Sequence, residues 1–375
     1  MTRRERLMRI FRGEPPDRPA VRLWGVAPEQ ELLHPAYALV RDAALQKTDL
    51  VLSAGSPFDL RWGSQPPPIR REDRPTGSPE WVDQVTYVET AAGPLRGVYR
   101  VSTCKRPGYI MQYMVKEPWE LKKLLSVPYV PHPFDPTDYW KAEQTVGDSG
   151  ITIFSLPHAM YGLQDLIGSQ NFALWSRDCR GELLEVVAEY ARRIQDQVKR
   201  ALAVGIRSAF GWVGPELCIP PLMSVRDFDD FVFAFDRPVI EAIHEAGGCV
   251  WVHCHGRMGP VLERFVEMGV DVLNPVEPPP MGDLTLQEAF RRVGGRMGID
   301  GNVETHDLMT MPPDRMRELV YRTLECGRGR RLILCPTSGY MEDPQPSERL
   351  IRNLLVFVND GVRYAQEMAG QRAVS

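Results

Sequence analysis

Short apolar runs alternate with longer amphipathic segments through the second half of this chain, and that rhythm constrains the fold more than any other feature. Strand-like runs fall at residues 206–212, 249–253, 271–276, 296–300 and 332–335. Between them, residues 180–204, 226–247, 259–269, 284–294, 312–326 and 346–368 carry apolar side chains at three- and four-residue spacing, the period of a helix with one buried face. The stripe is plainest at Phe228, Phe231, Val232 and Phe235. Strands separated by helices pair in parallel, because each chain return crosses over a sheet face. Residues 151–155, 49–53 and 20–24 have the same strand character and bring the count to eight. The expected fold class is therefore α/β, a closed (β/α)8 TIM barrel, which accounts for eight such units more economically than an open doubly wound sheet.

The rhythm fails between residues 56 and 148, which are rich in Pro, Trp and Arg. Within them VTYVET-AAG-PLRGVYRVS predicts a hairpin closed by a glycine-containing turn. This stretch is expected to be an insertion over the catalytic mouth of one domain spanning residues 1–375, being too short and too proline-rich to hold a core of its own.

Composition narrows the partners. A net charge of -4, with Lys and Arg dispersed along the chain, provides no field for a polyphosphate, so a small molecule rather than nucleic acid is the expected ligand. The seven cysteines include no CxxC pair, which fits a reducing cytoplasm. No stretch approaches the roughly 18 apolar residues of a membrane span.

In a barrel of this kind the reacting groups stand at strand C-termini. The run WVHCHG ends an apolar strand with His253 and His255 on one face and Cys254 on the other, since side chains alternate along a strand. Two imidazoles on one face suit zinc; they equally suit a substrate carboxylate or a backbone carbonyl. Glu277, ending the next strand ahead of three prolines, is a candidate third ligand or general base, with Asp283 the expected cap of the following helix. Glu216 leaves the preceding strand as a second acid-base candidate or a solvated loop acid. Cys335 on the last strand is either a zinc thiolate or a small buried hydrophobe. Asp300-Gly-Asn302 ends the seventh strand, with the Asn302 amide suited to holding a polar substrate.

The opening RERLMRIFRGEPPDRPAV, then FSLPHAMYGLQDLIGSQNF, His-Cys-His-Gly followed by EMGVDVLNP, GIDGNVE and LILCPTSGY together resemble, in order and spacing, the uroporphyrinogen decarboxylase superfamily. That superfamily comprises true decarboxylases and zinc-dependent methyltransferases that move methyl groups to or from a corrinoid (cobalamin). The decarboxylases carry an Arg-Gln-Ala-Gly-Arg motif after the first strand; here only Arg22 remains, followed by Trp24. Their last-strand histidine falls at Ser338. The methyltransferases match better: their His-x-Cys corresponds to His253-Cys254-His255, so that His255 stands where they have a thiolate, and their last cysteine also falls at Ser338, three residues after Cys335.

The resemblance implies a methyltransferase with zinc on His253, His255 and Glu277 or Cys335, catalytic Glu216 and Glu277, and substrate contacts from Arg22, Trp24, Tyr161, Asn302 and Ser338. The methyl carrier would be a corrinoid on a separate binding protein, and the small substrate a thiol, a methoxylated compound or an amine. Two other readings stand beside it, a lyase that decarboxylates a porphyrinogen or smaller acid, and a corrinoid-binding adaptor without catalysis.

Overall fold

In a computed structural model, described here for residues 1–104, 106–341 and 343–372, the alternating runs form an eight-stranded parallel sheet. Its strands are β1 (Ala20–Val21), β2 (Leu50–Ala54), β7 (Gly150–Ser155), β8 (Ala209–Val213), β9 (Cys249–His253), β10 (Val272–Asn274), β11 (Gly298–Val303) and β12 (Leu332–Pro336). The ladder runs β1-β12-β11-β10-β9-β8-β7-β2. Helices such as Arg180–Ala203, Pro313–Cys326 and Glu348–Arg372 connect and cover the strands, giving a curled, TIM-barrel-like sheet. None of the described helices is long and apolar enough to cross a membrane.

Each strand presents alternate side chains to the lumen and to the helices. Ile151, Ile153, Ala209, Cys249, Trp251, Val272 and Ile333 point inward and pack on Leu7, Ile10 and Phe11 of the first helix, Arg3–Arg12, which plugs the lumen at the strand N-termini. Leu50 and Leu52 point outward into the helix layer.

The two ends of the ladder meet through Asp49. The Asp49 N–H donates to the Val21 carbonyl at 2.8 Å, and its carboxylate accepts from the Val21 N–H at 2.8 Å, from Arg6 at 2.5 Å and from Arg18 at 3.3 Å. One fully buried carboxylate thus fastens β1, β2 and the plugging helix together.

Three local expectations change. The helix expected over 226–247 is divided into Val225–Phe228, a π-turn at Asp229–Phe233, and Ala234–Glu245, yet Phe228, Phe231 and Val232 remain buried. The strand expected over 296–300 extends to Val303, because β11 keeps pairing with β12 as far as Val303↔Pro336. Ala159–Asp178 adds a helical segment that non-helical backbone at Gly168 (φ +81°) breaks in two, so its buried residues Met160, Leu163, Leu166, Phe172 and Trp175 follow no continuous period.

Residues 56–148 hold a second, antiparallel sheet of β3 (Ile69–Pro75), β4 (Trp81–Thr90), β5 (Gly93–Ser102) and β6 (Tyr109–Gln112), in that order. The hairpin is β4–β5, turning between Thr90 and Gly93. Its inward residues Val88 and Leu95 belong to one apolar cluster with Leu163, Leu166 and Val187 of the barrel helices. The end of the stretch, Thr137–Val146, is a helix packed on β2 and β7, so it serves the barrel itself.

Removing the Asp49 carboxylate leaves the buried Arg18 cation without its carboxylate partner and leaves Arg6 with Asp17 alone. Asp49→Ala is expected to lower unfolding free energy by about 3–5 kcal/mol, the range for breaking a buried ion pair from one side. Urea unfolding checks this; a loss below about 1 kcal/mol, ordinary for a surface change, contradicts the assignment.

Candidate active site

At the C-terminal half of the lumen the apolar packing gives way to a chain of polar contacts. Arg22 donates through Nε to Asp300 Oδ1 at 3.1 Å, and a second guanidinium nitrogen bonds Oδ2. Trp251 Nε1 donates to Asp300 Oδ2 at 2.8 Å. The Asp300 carbonyl accepts from Asn274 Nδ2 at 2.6 Å, which turns the Asn274 carbonyl oxygen toward His253 Nδ1, also 2.6 Å away. An amide oxygen only accepts, so His253 carries its proton on Nδ1 and its lone pair on Nε2. Trp24 meets the ring edge-on at 4.4 Å. Burial, reinforced by His255, pushes the His253 pKa down to about 3 against the opposing hydrogen bond to Asn274, so the imidazole is neutral at ordinary pH.

His255, at a ring distance of 4.5 Å from His253, is held differently. Its Nδ1 lies 2.8 Å from Glu277 Oε1, while Glu277 Oε2 accepts the Gly256 N–H at 2.6 Å. Burial opposes charge on His255, but the Glu277 hydrogen bond, with the charges of Glu277, Glu216 and Glu304, raises its pKa. Burial also works to raise Glu277, and the His255 and Gly256 hydrogen bonds outweigh it and lower the carboxyl. The two shifts are mutual, each group favouring the charged form of the other, and Nε2 of His255 is directed away from Glu277.

Two further carboxyls share this field. Glu216, in the turn after β8, is raised chiefly by burial, and its Oε2 is buried with no hydrogen-bond partner among the described residues. Glu304, directly after β11, accepts from Thr337 Oγ1 at 3.2 Å through one oxygen and has the other buried and unpartnered. Burial first, then the charge of Glu277, lifts the Glu304 pKa to about 7. The histidines are thus surrounded by carboxyls, and the arginine of the lumen is already tied to Asp300.

The structure brings His253, His255, Glu277 and Glu216 to one end of the barrel, with Trp24 against the first of them. Tyr161, partly exposed in the first turn of Ala159–Asp178, lies within the electrostatic reach of Glu216. Asn302 uses its amide nitrogen to hold the Val276 carbonyl at 3.0 Å, fastening the loop that carries Glu277. Ser338 follows β12 by two residues. Asp283 does not cap the next helix: Thr285 does, and Asp283 instead accepts from the Gly259 N–H at 2.9 Å. Glu304 is the residue that sequence reasoning missed. Ending the seventh strand at Asp300 put the buried partner of Arg22 at the mouth and left the true strand-end acid unnoticed.

The expected zinc set is not assembled as drawn. Among the described residues no group of three or more His, Cys, Asp and Glu side chains is placed to hold a metal ion. Cys335 is fully buried beside Arg22 and Asp300, and burial pushes its thiol well up, against thiolate formation. Glu277 has an oxygen on His255 Nδ1 and the other on a backbone N–H, the place of an orienting carboxylate rather than of a ligand. The imidazole pair does fit, since both Nδ1 atoms are anchored and both Nε2 atoms are left for a ligand.

A cavity of about 390 Å³ lined by Trp24, Val51, Ser53, Asp138 and Lys141 adjoins this site through Trp24. A hollow of about 810 Å³ at the opposite end, among Arg4, Arg9, Arg12 and Arg207, lies away from it.

Residues 218–348 match the family model of uroporphyrinogen decarboxylase (URO-D), a segment that contains both histidines, Glu277, Asp300, Asn302, Glu304, Cys335 and Ser338. Among solved structures the chain is similar to a methyltransferase from Methanosarcina mazei, with 14% identity, 96% of this chain and 98% of that one covered, and a TM-score of 0.59, a likeness of fold. A D-psicose 3-epimerase from Clostridium cellulolyticum H10, bound to D-tagatose, aligns at 12% identity over 62% of this chain and 84% of that one, with a TM-score of 0.35, too low to carry an argument. No curated protein matches the sequence.

Glu304 keeps its proton in the folded state up to about 7, whereas an unperturbed glutamate releases it near 4.5. Its contribution to stability is therefore complete at low pH and is lost as pH rises through 7. Glu304→Gln is neutral throughout, so its melting temperature relative to the unsubstituted protein should be higher at about pH 8 than at about pH 5. Thermal unfolding at the two pH values checks this, and an equal difference at both removes the assignment.

Proposed function

We propose that this uroporphyrinogen-decarboxylase-like chain is a methyltransferase that moves a methyl group between a corrinoid carried by a separate protein and a small thiol, methoxylated or amine substrate. The observation that carries the reading is the charge of the mouth. Glu216, Glu277 and Glu304 act on His255, and Arg22 is locked in its buried pair with Asp300. A porphyrinogen presents many carboxylates and would need fixed cations where these glutamates stand. A neutral or cationic methyl compound meets no such repulsion.

His253 offers a neutral Nε2 lone pair, and Trp24 provides an apolar wall beside it. His255 is set by Glu277. Glu216 and Glu304, both holding their protons more tightly than free glutamate, can give a proton to a departing oxygen, nitrogen or sulfur. Zinc on the Nε2 atoms of His253 and His255 would supply Lewis-acid polarisation of the substrate heteroatom.

The test is direct. Purified protein with methylcobalamin and a panel of thiols and amines, or with reduced cobalamin and methoxylated compounds, should show conversion between methylated and unmethylated corrinoid in its absorption spectrum. Conversion of uroporphyrinogen to coproporphyrinogen by the same preparation overturns the reading in favour of the lyase.

Two substitutions probe the imidazoles. His255→Ala should lower zinc content and methyl transfer together while leaving the fold intact, because a mouth residue contributes little to the core. Glu277→Gln should weaken zinc binding by roughly 10–100-fold, the usual effect of removing an orienting carboxylate. Zinc titration followed by metal analysis reads both, and full metal retention in His255→Ala excludes zinc at this pair.

A further inference from the structure

One histidine at the mouth has no part in the chemistry above. His158 follows β7 in the loop ahead of Ala159–Asp178, on the same end of the barrel as His253, and is 3% exposed. Its Nε2 lies 3.1 and 3.0 Å from the two carboxylate oxygens of Asp236, and Trp212 Nε1 donates to the same carboxylate at 3.1 Å. A carboxylate facing Nε2 places the ring proton there, which makes Nδ1 a hydrogen-bond acceptor in the neutral tautomer. That Nδ1 is buried and has no partner among the described residues.

The turn that carries Glu216 crosses directly over this ring. Gly214 adopts φ +136°, and a Cβ at that position would lie 2.9 Å from His158 Cβ, 3.1 Å from His158 Nδ1 and 2.7 Å from Tyr161 Cβ. Only glycine allows so close a crossing. Glu216, two residues on, has its Oε2 buried and unpartnered as well. An acceptor without a donor therefore lies against the turn that carries a carboxyl oxygen without a partner, and the imidazole is near enough to act electrostatically on the carboxyl. The other titratable groups in that field are His255, Cys254 and Tyr161.

We propose that His158, oriented by Asp236 and Trp212, is a positioning residue for Glu216: the carboxyl carries a proton on Oε2 and donates it in a hydrogen bond to His158 Nδ1. The two atoms are not bonded to each other in this structure; rotation of the Glu216 side chain is the motion that joins them. The inference deepens the proposed function, in which Glu216 is a proton donor to the departing heteroatom, and it gives that proton a fixed address. Without the Asp236–His158–Trp212 support, Glu216 would be a loop acid whose proton faced no defined acceptor.

Infrared spectroscopy tests this without any substrate, so its outcome is independent of whether methyl transfer is the reaction. At mildly acidic pH the carbonyl-stretch band of a protonated carboxyl that disappears in Glu216→Gln belongs to Glu216. His158→Phe, which keeps the ring volume but has no acceptor, should move that band to higher frequency, toward a carboxyl without a hydrogen bond. His158→Gln, whose amide oxygen can accept, should return it most of the way. A band unchanged in His158→Phe, or no band lost in Glu216→Gln, overturns the proposal and leaves the Asp236 contact as a structural tie between the β7 loop and helix Ala234–Glu245. Should His158→Phe fail to fold, the ring-nitrogen spectrum of the unsubstituted protein decides: the proton is expected on Nε2 of His158, and a neutral ring protonated on Nδ1 refutes the hydrogen bond.

Discussion

The buried pair of Arg22 and Asp300 is the interaction on which the functional half of the barrel depends. It ties the residue after β1 to β11, past the intervening β12, at a level where apolar packing stops. An ion pair so deep is stable only when its remaining donors and acceptors are satisfied. Here Trp251 takes one carboxylate oxygen and Asn274 takes the Asp300 carbonyl, and the amide turned by that contact fixes the proton of His253. The Asp300 backbone carbonyl at the base of the polar layer thus determines, through Asn274, which nitrogen of His253 is available at its top.

The same pair sets the sign of the mouth. With Arg22 tied to Asp300 below, the charges that act on His255 are those of Glu277, Glu216 and Glu304. Glu277 is held ionised by His255 and the Gly256 N–H, while burial first and then the charge of Glu277 keep Glu304 protonated toward neutrality. Neighbouring carboxyls driven in opposite directions are how one site holds a fixed negative charge and a deliverable proton together. That arrangement is what the proposed reaction needs, in which a small methylated compound is polarised and protonated.

Much of this was legible in the sequence because two periodicities survive in it. All eight barrel strands were found, and β9 to the residue, since an apolar run bounded by glycine on one side and histidine on the other has little room to shift. His253 and His255 were legible as a pair for the same reason: strand alternation puts i and i+2 together. Glu304 was not, because Asp300-Gly looks like a strand end and only the ladder to β12 carries β11 past it. The helical segment Ala159–Asp178 escaped because its break at Gly168 leaves two short pieces, neither long enough to show the period plainly. The Glu277 role and the place of Cys335 depend on which atoms meet across strands, and the His158–Asp236 contact joins residues 78 positions apart. Pattern along a chain carries no information of that kind.

The central claim, that contacts beneath the histidines leave both Nε2 atoms for the substrate or its metal, is measured most directly by the ring-nitrogen spectrum of His253 and His255 at alkaline pH. The account predicts neutral rings with the proton on Nδ1 in each, donated to the Asn274 carbonyl oxygen and to the Glu277 carboxylate, and bare Nε2 nitrogens whose signals shift when zinc is added. A proton on Nε2 of either ring would contradict it, because the supporting side chain would then be facing a lone pair and the histidine would be turned away from the chemistry assigned to it.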